Sequence, residues 1–300
     1  MTDEVAPVAD MMENEFSMTI QEGLEEAVKV LRKDGIVSPR LDAEVLLCHV
    51  LHVDRTQLLM RGNSMMTDQQ LHCFRQWVAR RQVNEPVAYI VGEKEFWSLP
   101  FYVNPNVLIP RPETEILVEE VLRILPGIEH RPARVLEIGV GSGAISVALA
   151  ASQEDMQVVA TDISSAAIAV AGLNAAKAGV AGKIRFLVGS LFADLSGVFD
   201  VIVSNPPYIS DEEFLTLPAD VRKFEPPEAL LGGPEGISLH REIIGGSLLY
   251  LEAGGYLIME IGAAQRRQLE ELLQKTGSYA NIMCRKDYAG CDRVILARRI

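Results

Sequence analysis

Short apolar segments alternate with helix-forming segments between residues 134 and 299, and this alternation constrains the fold more than any other feature of the chain. The segments are RVLEIG (134–139), QVVATD (157–162), KIRFLVG (183–189), FDVIVSN (199–205), GGYLIMEIG (254–262) and RVILARR (293–299). Strands separated by helices are typical of βαβ units. We therefore predict an α/β fold with an open, mostly parallel sheet and helices on both faces.

A glycine-rich loop follows the first of these strands and opens a helix. Its residues are Gly139, Val140, Gly141, Ser142 and Gly143. Glycines at a helix amino terminus let the backbone turn sharply and approach a ligand closely. Asp162 ends the next strand, 23 residues beyond Gly139, and a carboxylate at this spacing can accept hydrogen bonds from both ribose hydroxyls. The loop and Asp162 together predict a site for a nucleoside-containing cofactor, rather than a turn that only packs helix against strand.

The identity of the nucleoside rests on the residues around the loop. Gly139, Gly141 and Ala144 also satisfy the relaxed dinucleotide pattern G-x-G-x-x-A, so a NAD-dependent oxidoreductase is one interpretation. The acidic Glu137 precedes the glycines, where it would repel a pyrophosphate but not a cationic sulfonium. The chain also offers no obvious acid–base pair for hydride transfer. S-adenosyl-L-methionine is therefore the favoured cofactor.

The strand FDVIVSN runs into the segment Asn205–Tyr208, which reads NPPY. If RVLEIG is the first strand of the sheet and FDVIVSN the fourth, the two lie side by side where the strand order reverses, and Asn205 lies beside the glycine loop. The Asn205 side-chain oxygen and the Pro206 carbonyl would then accept both N–H groups of a planar amide or aromatic amine. Pro207 stiffens the backbone and Tyr208 offers a flat face. We predict methyl transfer by positioning, without a metal; the alternative is a rigid strand exit in which Asn205 bonds its own backbone.

The chain before this region has a different character. Residues 1–17 are predicted to be a flexible acidic tail, and residues 18–84 a helical bundle. Capping boxes at Thr19 and Thr67 each open a helix, and Ser38 with Pro39 opens another. The apolar face of that middle helix is expected to contain Leu41, Val45 and Cys48. Residues 85–111 alternate apolar and aromatic residues, with NPN as a turn, which predicts a β-hairpin linking the bundle to a catalytic domain at 112–300.

Composition excludes several classes of partner. The formal net charge is −13 and the isoelectric point is about 4.9, which disfavours stable nucleic-acid binding. We expect neither a secretory signal nor a membrane span. The cysteines form no CxxC pair, so we expect free thiols in a cytoplasmic protein and no metal site; they are Cys48, Cys73, Cys284 and Cys291.

Beyond these separate features, longer stretches of the chain resemble a known family. EIGVGSG, Asp162 and NPPY together look like class I S-adenosylmethionine-dependent methyltransferases that act on planar nitrogens, which include DNA adenine N6-methyltransferases and protein-glutamine N5-methyltransferases. EPVAYIVGEKEFWSLPFYVNPNVLIPRPETE, VRKFEPPEALLGGPEG and RKDYAGCDRVILARR resemble the release-factor glutamine methyltransferases, over residues 19–300. The resemblance implies a Rossmann-like domain with a seven-stranded sheet and an N-terminal helical domain that binds the substrate.

The same resemblance implies a reaction and assigns roles to residues. The methyl acceptor would be the side-chain N5 of the Gln in the Gly-Gly-Gln motif of class 1 peptide chain release factors. The loop 139–143 would hold the methionine part of the cofactor, Asp162 the ribose, and Leu191 would lie against the adenine. Asn205 would touch both cofactor and substrate. The glutamine pocket would be completed by Pro206, Pro207 and Tyr208. Ser190 stands where family members often carry an acidic residue.

Several alternatives stay open at this stage. Arg111 in IPRPETE either reaches the cofactor carboxylate or pairs with Glu113 or Glu115, and we expect the pairing. The chain as a whole is either the enzyme just described, a ribosomal-protein glutamine methyltransferase, a DNA adenine methyltransferase, or a noncatalytic partner of the ribosome or of release factors. We expect a monomer.

Overall fold

The computed structural model describes residues 18–129 and 132–300. The predicted acidic tail, residues 1–17, lies outside the described residues. The chain divides after Val91 into two compact units. Among the described residues, no helix combines the length and the apolar character that crossing a membrane requires.

The first unit is helical. Its helices are α1 (Ile20–Lys33), α2 (Pro39–Leu51), α3 (Arg55–Met60), α4 (Asp68–Gln82) and α5 (Val87–Val91). Both predicted capping boxes are confirmed: the Thr19 hydroxyl accepts from the Glu22 N–H and the Thr67 hydroxyl from the Gln70 N–H, each at 3.2 Å. These bonds satisfy backbone donors that have no partner in the first turn of a helix.

Helix α2 begins where Ser38–Pro39 predicted, but its buried face differs from the prediction. Leu41 is exposed, and the buried side chains are Ala43, Glu44, Leu46 and Leu47. The physical reason is Glu44, whose carboxylate accepts from Arg40 and Arg55, each at 2.8 Å. These two ion pairs allow a carboxylate to lie on the side of α2 that faces the core. The positions of the apolar residues alone therefore indicate the wrong face of this helix.

The second unit contains a two-stranded hairpin and a seven-stranded sheet. The strands are β1 (Glu93–Phe96), β2 (Leu99–Tyr102), β3 (Ala133–Ile138), β4 (Met156–Asp162), β5 (Ile184–Val188), β6 (Phe199–Ser204), β7 (Leu251–Glu260), β8 (Tyr279–Lys286) and β9 (Asp292–Arg299). The helices are α6 (Glu115–Ile124), α7 (Ala144–Ser152), α8 (Ser165–Lys177), α9 (Asp211–Thr216), α10 (Ala219–Phe224), α11 (Ser238–Tyr250) and α12 (Arg266–Lys275).

The strand order in the large sheet is β5-β4-β3-β6-β7-β9-β8, and only the pairings of β9 are antiparallel. The α/β fold with a mostly parallel seven-stranded sheet is thereby confirmed. Successive residues of β3 face opposite sides: Val135 packs into one buried cluster and Leu136 into the other. Helices therefore cover both faces, and the carboxyl ends of the parallel strands remain available for a ligand.

Strand β8 was not located from the sequence. It forms the edge of the sheet; Tyr279 at its start is buried, and the side chains that follow are partly buried or exposed. Asn281 has φ +51°, and the pairing register shifts between Ala280 and Met283. An interrupted edge strand carries a weak apolar signal, because only one face of it is packed.

The predicted hairpin is present, but its turn is not at NPN. The turn residues are Trp97 and Ser98, with φ +54° and +56°. Two successive residues with positive φ are typical of a tight two-residue hairpin turn, for which Asn-Gly is the usual sequence signal. Glu115 holds this turn by accepting from the Trp97 backbone N–H at 2.8 Å, and that contact is tertiary. The NPN segment forms a separate turn after β2.

Candidate active site

A cavity of about 690 Å³ opens at the carboxyl ends of β3, β4 and β6. Strands β3 and β6 are neighbours, with Ile138 paired to Ser204, so Gly139 and Asn205 leave the sheet side by side. The predicted strand adjacency is thereby confirmed. The volume lies within the usual range for cofactor sites. The predicted site residues that line this cavity are Gly139, Val140, Gly141, Ser142, Asp162, Leu191, Asn205, Pro206 and Pro207.

The first two loop glycines expose backbone to the cavity. Gly139 and Gly141 have φ +77° and +53°, and a Cβ atom built on either would meet nothing within 4 Å. The backbone N–H groups of Gly139 and Val140 both donate to the Thr161 carbonyl at 2.9 Å, which ties the loop to the end of β4. A ligand can thus lie directly against the main chain at this edge of the cavity.

Gly143 has a different environment and does not line the cavity. Its φ is +83°, and an added Cβ would lie 3.1 Å from the Cβ of Ala171 on α8. The glycine therefore permits close packing of α7 against α8. Asn174, which the sequence analysis did not consider, supports the same loop by donating to the Ser142 carbonyl at 2.8 Å.

The Asp162 carboxylate is held by two backbone donors. Its Oδ2 accepts from the Gly141 N–H and its Oδ1 from the Ser164 N–H, both at 2.9 Å. A carboxylate oxygen can accept two hydrogen bonds, so each oxygen retains capacity for a ligand hydroxyl. Ile163, the next residue, lines the cavity with 70% of its surface exposed. Sequence reasoning missed Ile163, although its position directly after Asp162 was a usable signal.

Glu137 modifies the electrostatic interpretation of the loop. The side chain is buried, and its carboxyl accepts from the Ser146 backbone N–H at 2.9 Å and from the Ser146 hydroxyl. Burial raises the pKa of Glu137 to about 8, and the two Ser146 hydrogen bonds only partly oppose this. The group is therefore mostly protonated at neutral pH when no cation is near. Its repulsion of a pyrophosphate is weaker than the formal charge implied.

Leu191 borders the cavity in a left-handed backbone conformation. Its φ is +50°, and its carbonyl accepts from the Thr161 hydroxyl at 3.2 Å. The Thr161 carbonyl accepts from the backbone N–H groups of Gly139 and Val140. Thr161 therefore connects the glycine loop to Leu191 on the other side of the cavity. Ser190 also lines the cavity, at the position where the resemblance implied an acidic residue.

Asn205 bonds another side chain and not the backbone of its own turn. Its Nδ2 donates to the Thr114 hydroxyl at 3.2 Å, and that hydroxyl donates to Glu260 Oε2 at 2.7 Å. The Tyr208 hydroxyl donates to Glu260 Oε1 at 3.1 Å. Burial raises the pKa of Glu260, and burial beside Glu260 raises the pKa of Tyr208. Neither Thr114 nor Glu260 was among the predicted site residues, although Thr114 lies within IPRPETE and Glu260 within the strand segment GGYLIMEIG.

A second, smaller cavity of about 180 Å³ shares four lining residues with the larger one: Leu108, Arg111, Asn205 and Ala229. Tyr208 lines the smaller cavity, whereas Pro206 and Pro207 line the larger. The other residues around the smaller cavity are mostly apolar: Leu108, Arg111, Ile209, Leu217, Val221, Ala229, Leu230 and Glu260. Asn205 thus lies where two cavities meet, which is an arrangement suited to bringing two reactants together.

Arg111 forms an ion pair, but the predicted partner was wrong. Its guanidinium donates to Glu225, a buried residue beyond α10, and not to Glu113 or Glu115. The second oxygen of Glu225 accepts from the Ile109 backbone N–H at 3.1 Å. Burial raises the pKa of Glu225, and the Arg111 charge opposes that effect. The pair joins the segment before α6 to the segment after α10.

The strand order and the family models together identify the second unit as a methyltransferase. The hMettl16 catalytic domain has a similar fold, with a TM-score of 0.56 and 15% identity, covering 78% of this chain and 84% of that chain. Family models match at residues 22–92 (PrmC N-terminal domain) and 114–218 (Methyltransferase small domain).

Curated relatives identify the family within that class. The chain is 40% identical to the release factor glutamine methyltransferase of Nitratidesulfovibrio vulgaris, covering 94% of this chain and 95% of the relative. It is 42% identical to the release factor glutamine methyltransferase of Moorella thermoacetica, covering 94% of this chain and 99% of the relative. The chain belongs to the release factor glutamine methyltransferase family.

Proposed function

We propose that this protein transfers a methyl group from S-adenosyl-L-methionine to the side-chain N5 of the Gln in the Gly-Gly-Gln motif of class 1 peptide chain release factors. One observation carries the proposal: Asn205 lies where the two cavities meet, and its Nδ2 is committed to Thr114. The Oδ1 atom is then the part of this amide that can accept an N–H group of a substrate.

The residues of the larger cavity fit the cofactor. The open backbone at Gly139 and Gly141 suits the methionine part, and the Asp162 carboxylate has acceptor capacity for ribose hydroxyls. Leu191 and Ile163 offer apolar contacts for the adenine. A cationic ligand near Glu137 would favour the ionised form of its carboxyl. When bound, S-adenosylmethionine supplies an electrophilic methyl group on a positively charged sulfur.

An amide nitrogen is a poor nucleophile, because its lone pair is delocalised into the carbonyl group. The residues around Asn205 would orient this nitrogen for reaction. The Asn205 Oδ1 and the Pro206 carbonyl would each accept an N–H of the substrate amide, which orients the nitrogen. Pro206 and Pro207 restrict the backbone so that this carbonyl keeps its direction. The new N–C bond would form as the C–S bond of the methyl donor breaks, which leaves S-adenosylhomocysteine, and one N–H proton of the amide would pass to water. Positioning therefore supplies most of the catalysis.

The protein substrate would bind through the helical unit as well. Residues 22–92 match the PrmC N-terminal domain, and apolar side chains are exposed there at Leu59, Met60 and Met65. Burial of such side chains against a partner is favourable, whereas the net charge of −13 disfavours a nucleic-acid partner.

The decisive experiment incubates the purified protein with labelled methyl donor and a class 1 release factor. We expect label on the Gly-Gly-Gln peptide by mass spectrometry, and none on a factor that carries Gln→Ala at this position. Asn205→Ala should abolish transfer and should weaken binding of S-adenosylhomocysteine, measured by calorimetry, to a much smaller extent, because Asn205 also lines the larger cavity. Equal labelling of the Gln→Ala factor would refute the proposal, and labelling of a ribosomal protein instead would reassign the substrate.

A further inference from the structure

We propose that Thr114 and Glu260 are positioning residues, which decide which end of the Asn205 side-chain amide faces the substrate. This inference rests on the proposed function, because it concerns the acceptor for the substrate N–H. Thr114 ends a short 3-10 helix, Pro112–Thr114, and Glu260 ends β7. Although 146 positions apart in sequence, both are buried and their side chains are hydrogen-bonded at 2.7 Å.

The direction of each hydrogen bond follows from the chemistry of the groups. A threonine hydroxyl has one proton, and an ionised carboxylate has none to donate. The Thr114 proton is therefore used in the bond to Glu260, so its oxygen presents only lone pairs to Asn205. The Asn205 group 3.2 Å away must then be the Nδ2 amide. If the side-chain amide were flipped, two acceptor oxygens would face each other, so Oδ1 is directed away from Thr114.

Glu260 also determines the direction of a second hydrogen bond near the substrate. Its Oε1 accepts from the Tyr208 hydroxyl at 3.1 Å, while its Oε2 accepts from Thr114. One buried carboxylate thereby orients both Asn205 and Tyr208, the two polar side chains of the NPPY segment. An ionised Glu260 accepts on both oxygens, whereas a protonated carboxyl would donate through one of them and reverse that bond.

The surroundings of Glu260 make that ionisation dependent on pH. Burial and the nearby Glu113 disfavour the charged form of Glu260. The hydrogen bonds from Thr114 and Tyr208 and the charge of Arg293 favour it. His240 lies on the backbone side, where its Nε2 is 2.8 Å from the Glu260 carbonyl, and burial lowers the pKa of His240 to about 4. Burial raises the pKa of Glu260, so the hydrogen-bond polarity should be lost at a higher pH than for an exposed carboxyl.

The first test compares Thr114→Val, Thr114→Ser and Glu260→Gln in the full-length protein with a release factor substrate. Valine keeps the shape of threonine without the hydroxyl, and serine keeps the hydroxyl. We expect Thr114→Val to lower kcat on the order of 100-fold through misorientation of Asn205, with Thr114→Ser near the wild-type rate. Glu260→Gln should lower kcat and remove the decline of kcat at acidic pH. Binding of S-adenosylhomocysteine should stay unchanged in all three.

A matched control removes a buried hydroxyl elsewhere. Ser247 on α11 is buried and its hydroxyl lies 2.6 Å from that of Tyr279, so Ser247→Ala should leave kcat unchanged. A wild-type kcat in Thr114→Val would overturn the proposal, and so would an equal loss of activity in Thr114→Ser.

A second measurement tests the hydrogen bond without any substrate. In ¹⁵N NMR spectra, the side-chain amide of Asn205 is assigned by its absence from Asn205→Ala. One of its protons should be shifted downfield in the wild type and in Thr114→Ser, and this shift should disappear in Thr114→Val. An unchanged shift in Thr114→Val would overturn the inference. If the wild type fails to methylate release factors, the proposed function is refuted, whereas the NMR result still decides the orientation of Asn205.

Discussion

Replacing Gly143 by alanine tests how the glycine loop is supported. The new Cβ would lie 3.1 Å from the Cβ and 3.2 Å from the Cα of Ala171, and the φ of +83° is unfavourable for any residue with a Cβ. The left-handed conformation costs about 1–2 kcal/mol. Overpacking against a backbone atom that cannot rotate away adds about 1–3 kcal/mol. We therefore expect the free energy of unfolding to fall by about 2–5 kcal/mol.

Two other glycines separate these contributions. Gly141 has φ +53°, but a Cβ added there would meet nothing within 4 Å. Gly141→Ala should therefore lower the free energy of unfolding only by the cost of the left-handed conformation. It should also weaken S-adenosylhomocysteine binding. Gly172 lies within α8 next to Ala171, and its Cβ would also meet nothing within 4 Å. Gly172→Ala should stabilise the protein by about 0.5–1 kcal/mol, because alanine is the better helix former.

The measurement uses urea unfolding followed by tryptophan fluorescence. The chain has two tryptophans, so a Trp77→Phe background leaves Trp97 alone. The Trp97 indole N–H donates to the Ser152 hydroxyl at the end of α7 at 2.9 Å, and its fluorescence therefore reports on the element that Gly143 begins. If Gly143→Ala lost no more stability than Gly141→Ala, the packing against Ala171 would not contribute and the reasoning would be refuted.

Three further outcomes follow from charged groups near the site. Asp162→Asn removes one charged acceptor and should weaken S-adenosylhomocysteine binding about 10- to 100-fold by calorimetry; unchanged affinity would exclude Asp162 from the cofactor site. The folded-state pKa of Glu137, about 8, lies above its ordinary value of 4.5. The free energy of unfolding of the wild type, measured by urea unfolding and compared with that of Glu137→Gln, should therefore fall as the pH rises from about 4.5 to about 8, by at most about 5 kcal/mol. If the free energies of the two proteins changed with pH in parallel, the raised pKa would be contradicted. Arg111→Met should lower the free energy of unfolding by about 3 kcal/mol in urea unfolding, because it leaves the buried Glu225 without its cation, and adding Glu225→Gln should restore most of the loss; no recovery in the double variant would contradict this role of the pair.

Local features were predictable because their interactions span only a few residues. The capping boxes at Thr19 and Thr67 join side chains to backbone three positions away, so the spacing alone identifies them. The parallel strands were found for a related reason, since strands buried on both faces are continuously apolar. By contrast, the hairpin turn at Trp97 and Ser98 carries no turn signal, and the contact from Glu115 that holds it lies 18 positions away.

Parts of the site depend on contacts that no local pattern contains. Arg111 pairs with Glu225, which lies 114 positions away, although two carboxylates follow within four residues. Thr114 reaches Asn205 across 91 positions and Glu260 across 146. Proximity in sequence does not predict such pairs, because the strand order brings the carboxyl ends of distant strands to one edge of the sheet.

The sequence by itself determined the order of the parallel strands, the glycine loop with Asp162, and the NPPY segment beside it. These are properties of spacing and residue type, which the backbone obeys wherever the segments lie. Only the tertiary structure places Glu137 where burial raises its pKa and brings the Asn205 amide to the Thr114 hydroxyl. Both depend on burial and on hydrogen-bond partners supplied by other elements, and a buried group responds to those partners more strongly than to its neighbours in sequence.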